Sequence, residues 1–112
     1  MNRLILSTIL AVAAATQAAA QCAQPETVTI PDGRSATLDQ MLQAQTAVRT
    51  YLADMEAFLA CLNEEIEAQP EDTPQEVTTA LIDRHNAAVT DMESVAARFN
   101  EQRIAYQEAH PN

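Results

Sequence analysis

The chain has no lysine and no tryptophan, and in 112 residues it holds one glycine, two phenylalanines, two tyrosines and two cysteines. Each shortage excludes something. One glycine and 4% aromatic residues argue against an all-β sandwich or barrel, which needs turn glycines and strand aromatics. With six arginines as its only bases against 16 acids, the formal charge is −10. That balance excludes non-specific nucleic-acid binding, which relies on cations to displace the counterions of the phosphates. A chain of this length forms one domain at most.

What is present begins with an address. Met1 and Arg3 precede an apolar run from Leu4 to Ala15, and Ala18 and Ala20 form a small-x-small site. This predicts a signal peptide over residues 1–20, cleaved before Gln21. An uncleaved anchor is the rival reading, but the run falls short of the roughly 20 apolar residues a membrane span needs. Lipidation of Cys22 would require a small residue before it, and Gln21 is not one. No second hydrophobic run follows, so no membrane contact is expected after cleavage. Export makes two cysteines most simply one disulfide. The missing lysine and the alanine-rich leader suit a bacterium of high genomic GC, which places the chain in a periplasm or outside the cell.

Helical patterning starts at Thr37. Thr37 and Gln40 have the spacing of a capping box. Leu38, Met41, Gln45, Val48, Leu52, Met55, Leu59, Leu62 and Ile66 then recur every three or four residues, with neither glycine nor proline before Pro70. The first helix is expected over residues 37–69. A second box, Thr73 to Glu76 with Pro74 at the first helical position, opens a helix expected over residues 74–109. Its seam runs through Val77, Leu81, His85, Ala88, Met92, Val95, Phe99, Gln102 and Tyr106, with fraying near His110. So short a connector makes the two helices antiparallel neighbours. The fold class expected is therefore all-α, a coiled-coil-like hairpin over residues 37–110.

A second stripe on the first helix (Ala44, Ala47, Tyr51, Phe58, Cys61) needs a cover. Residues 21–36 supply one: Val28 and Ile30 share a face of an extended arm that ends in the turn signal Pro31-Asp32-Gly33. Residues 22–36 reach about 50 Å when extended, and the helix from Thr37 to Cys61 is about 36 Å long. The arm can thus fold back and join Cys22 to Cys61, closing a loop worth about 4 kcal/mol on the chain-entropy model.

The residues Ile30-Pro31-Asp32-Gly33, Ala36-Thr37, Tyr51, Phe58-Leu59-Ala60-Cys61-Leu62 and Phe99-Asn100 resemble a group of short exported proteobacterial helical-hairpin proteins. The resemblance implies the same architecture and brings no catalytic or binding residue with it.

Chemistry is thinly represented. There is no G-x-S-x-G, H-E-x-x-H, P-loop or C-x-x-C, and a hairpin offers no cleft in which to shift the pKa of a carboxylate pair. Neither catalysis nor a cofactor or metal is expected. His85 lies on the second seam, but a di-metal bundle motif wants Glu where Ile82 stands; it reads as a structural histidine. Gln45 and Gln102 read either as a polar register lock or as a tolerant open end. The most distinctive feature is an acidic cluster at the hairpin tip: Glu64, Glu65, Glu67, Glu71, Asp72 and Glu76, with no base among them. It suits a basic protein partner or a loose divalent-cation site, or simply a solvated end. The function expected is a non-enzymatic structural or protein-interaction module that self-associates. The alternative is a periplasmic stress chaperone, or an inhibitor of a basic secreted protein acting through the acidic tip.

Overall fold

The computed structural model describes residues 22–111, so the leader reading lies outside the described residues. Helix α1 runs Leu38–Glu67 and helix α2 runs Gln75–Ala109, with no strand among the described residues. The two pack as an antiparallel hairpin, as the short connector requires.

The start of α1 is as the spacing predicts. Gln40 N–H donates to Thr37 Oγ1 at 3.2 Å, and Thr37 N–H donates to Gln40 Oε1 at 2.9 Å. Thr37→Ala leaves one of the helix's orphan N–H groups without this partner and is expected to cost about 1 kcal/mol, read by urea denaturation.

The end of α1 and the start of α2 differ from expectation. Helix α1 stops at Glu67 rather than residue 69, because Gln69 precedes Pro70, whose ring disfavours helical geometry in the residue before it. Gln69 instead closes the helix, its side-chain amide donating to Glu65 O at 2.9 Å. The second capping box is absent. Pro74 sits outside the helix with ψ 137°, and the Thr73 N–H is used in a connector turn to Pro70 O at 3.0 Å. At the far end α2 stops at Ala109, the expected bound. The His110 ring stacks on Tyr106 at 4.2 Å, and the His110 backbone N–H donates to Tyr106 O at 3.0 Å.

The core line is also displaced. Met41, Ala44, Val48, Tyr51, Met55, Phe58 and Leu62 are the buried residues of α1, an unbroken 3–4 repeat. It takes alternate members of the two stripes read from the sequence. Leu52, Leu59 and Ile66, expected at the centre, are half-buried, and Leu38 is 57% exposed. Only Ala88 and Val95 are buried in α2. Val77, the first member of the expected second seam, is 44% exposed.

The physical reason is a third body. The arm lies along the groove between the helices on one side, with Val28 and Ile30 packed against the core cluster. Each helix therefore turns its most buried line into the junction of three segments rather than squarely at the other helix. From Cys22, beside Arg84, to Gly33, beside Gln102, the arm covers about 27 Å of helix. Those eleven steps reach about 36 Å at most, so the arm is well extended.

Candidate functional site

The hairpin has two unlike faces, and the chemistry is easiest to follow from the one the arm covers. Its anchor is the Cys22–Cys61 disulfide, with Cα atoms 5.6 Å apart. Around it, both backbone groups of Cys22 meet charged side chains. Cys22 N–H donates to Glu65 Oε1 at 3.3 Å, from one turn beyond Cys61 on α1. Arg84 on α2 donates to Cys22 O at 3.3 Å, and its guanidinium lies 5.6 Å from the centre of the Phe58 ring, a cation–π distance. A single residue of the arm is thus tied to both helices.

Cys22, Cys61 and Glu65 are close enough together to share a metal ion. Their chemistry does not fit one, because sulfurs bonded to each other are not thiolate donors. The contact of 3.2 Å between Cys22 Sγ and Glu65 Oε1 is likewise not a hydrogen bond, since a disulfide sulfur carries no proton.

At the other end the arm closes on Gln102. Asp32 organises the turn: its carbonyl accepts from Ser35 N–H at 3.2 Å and Ala36 N–H at 2.9 Å, and its carboxylate accepts from Arg34 N–H at 3.0 Å. Gly33 N–H then donates to Gln102 Oε1 at 2.8 Å. Gly33 is buried against the α2 backbone, where a Cβ would overlap the Gln102 carbonyl oxygen and lie 2.8 Å from Tyr106 N. Its φ is not positive, so the glycine is required for space and not for a left-handed turn. Gln102 is a lock, but for the arm. Gln45, its sequence partner in that reading, is half-buried on the opposite side.

Midway along the arm, Gln24, Pro25 and Thr27 roof an open depression of about 200 Å³ over Tyr51, walled by Asp91, Ser94 and Arg98. Gln24 reaches Asp91 at 3.4 Å. Burial, with a smaller contribution from the Asp91 carboxylate, holds the Tyr51 phenol above its ordinary value of 10.0. The unfolded chain gives up this proton at a lower pH than the folded one. The stability from the buried neutral phenol is therefore full below pH 10 and is lost as pH rises through the folded pKa. The chain has no lysine and both cysteines are bonded, so neither ammonium nor thiol groups obscure that range. Tyr51→Phe is expected to abolish the late-titrating component of the 295 nm absorbance and to flatten the alkaline loss of stability.

The opposite face has no cover among the described residues. It carries Leu38 and Leu42 of α1, 57% and 50% exposed, and Ile82 of α2 at 43%. Between them lie half-buried Leu52, Leu59, Ile66, Val89 and Met92, of which Leu52, Leu59 and Met92 also pack against the core cluster. His85 is half-buried on this side too. Of the acidic tip, Glu64, Glu67, Glu71, Asp72 and Glu76 are exposed, whereas Glu65 is half-buried and engaged with Cys22. The six do not converge on one point.

Sequence reasoning placed the disulfide but missed Arg84, Glu65 and Gly33 as holders of the arm. Only the clustering of Glu65 one turn from Cys61 could have hinted at them. Compared with family models, curated proteins and solved structures, the chain matches none. Its architecture is that of an α-helical hairpin with one face closed by a disulfide-tied arm and the other face open.

Proposed function

We propose that this is a small exported protein that acts by binding another macromolecule through its open face, without chemistry of its own. The observation that carries this reading is the asymmetry of the hairpin. One side is closed by an arm held at both ends, while the other leaves a strip of leucine, isoleucine and valine running along both helices. Contiguous exposed apolar surface rimmed by polar residues is characteristic of interaction sites. Export is supported by the leader-like first twenty residues and by a disulfide, a bond that persists in oxidising compartments. No helix among the described residues is long and apolar enough to cross a membrane.

The test is a photo-crosslinking residue placed at Leu42 on the open face, with a matched one at Thr29 on the arm, in cells that export the protein. Crosslinks to a discrete protein band from Leu42 and none from Thr29 are expected. Equal labelling from both positions, or none from Leu42, would remove the open face as the working surface.

A further inference from the structure

We infer that the open face is covered by a second copy of this chain, packed antiparallel as a two-fold four-helix assembly. The inference rests on the reading of that face as a binding surface, and it names the partner.

The first support is the pattern of the face. Leu38, Leu52, Leu59 and Ile66 of α1 lie at heptad spacing on one helical stripe, broken once by Gln45, with Leu52 and Leu59 also packed against the core; Ile82 and Val89 match it on α2. A helix pair with apolar residues on two sides is half of a four-helix bundle. In a two-fold assembly the same patch meets itself, so its charges must be self-complementary.

They are, in one orientation. Arg49 and Glu56 are both exposed and both lie on the open flank of α1. They stand seven residues apart, about 10.5 Å along the axis. The midpoint of Leu38–Glu67 falls between Leu52 and Ala53, so the two are related by reflection through the centre of the helix. A two-fold axis across that point sets Arg49 of each copy over Glu56 of the other. The parallel alternative sets Arg49 on Arg49 and Glu56 on Glu56.

The ends of the rod give the same answer. Arg34, Arg49, Arg98 and Arg103 all lie in the half of the hairpin away from the connector, whereas Glu64, Glu65, Glu67, Glu71, Asp72 and Glu76 crowd around the connector. Arg103 is exposed on the open side, where its guanidinium donates to Asn100 Oδ1 at 2.7 Å. Antiparallel packing carries it to the acidic end of the second copy and keeps the two tips a full helix length apart. Parallel packing would stack one acidic tip on the other, which like-charge repulsion opposes.

Sedimentation equilibrium of the oxidised protein is expected to give twice the chain mass in the micromolar range. Ile82→Glu is expected to give a folded monomer, with helical circular dichroism unchanged. Arg49→Glu alone and Glu56→Arg alone should each weaken the dimer about tenfold, and the double swap should restore it. A folded monomer at every concentration would overturn the inference. So would a dimer indifferent to Ile82→Glu, or a double swap no better than the singles. A monomer whose Leu42 crosslinks to a different protein would overturn the second copy and leave the binding face standing.

Discussion

Replacing Cys22 and Cys61 together by serine is expected to lower stability by about 4 kcal/mol. The closed loop spans a sequence separation of 39, and cutting it returns that much chain entropy to the unfolded state. For a domain of this size the change corresponds to a fall in Tm of roughly 15–30 °C. The loss should be local as well as global. Released at Cys22, the arm loses the donors and acceptors of Arg84 and Glu65, so Val28 and Ile30 leave the core cluster. Amide exchange should therefore quicken in residues 23–36 before the helices are affected, and reductant should reproduce the effect in the unaltered protein. A double serine variant within 1 kcal/mol of the parent would show that the arm contributes little to the fold.

Gly33→Ala gives a prediction whose sign alone is informative. At a glycine with negative φ, alanine ordinarily stabilises by about 0.4–1 kcal/mol, because it restricts the unfolded chain. Here the new Cβ would overlap the backbone of α2 at Gln102, and helix backbone cannot swing aside as a long side chain can. The turn must lift, which also breaks the bond from Gly33 N–H to Gln102 Oε1. The expected result is a loss of about 2–3 kcal/mol, the sum of overpacking and one hydrogen bond. Gln102→Ala removes only the hydrogen bond and should cost about 1 kcal/mol. Thermal melts of the two variants side by side separate the steric part from the polar part. A stabilised Gly33→Ala would mean that the arm does not press on α2.

These residues also show what a sequence can and cannot say about such a fold. The capping box at Thr37 and Gln40 is a local device, and local spacing revealed it. The disulfide followed from reach: the arm was long enough to return to Cys61, and two cysteines left one pairing. The rotation of the core onto Ala44, Tyr51 and Phe58 was visible only as a second stripe. Deciding which stripe is central needs the position of a third segment, and periodicity within one helix does not hold that information. Thr73 misled for a related reason. It has the right spacing for a cap, but its N–H is committed to the connector turn at Pro70. In the sequence Gly33 has the look of a turn residue, because glycine usually serves turns, whereas its burial depends on Gln102 and Tyr106, about seventy positions away. The acidic tip was plain in the sequence as a charge excess. That Glu65 turns away from the tip to the arm depended on where Cys22 comes to rest.

The asymmetry of the two faces is what the functional reading stands on, and carbene footprinting of the oxidised protein addresses it residue by residue. At low concentration, heavy labelling is expected at Leu38, Leu42 and Ile82, with Tyr51, Met55 and Phe58 protected. Raising the concentration should then protect the first group and leave the second unchanged. Labelling of Tyr51 and Phe58 as strong as that of Leu42 would show that the arm does not close its face. Labelling of Leu38, Leu42 and Ile82 that stayed constant at all concentrations would contradict the assembly of two copies.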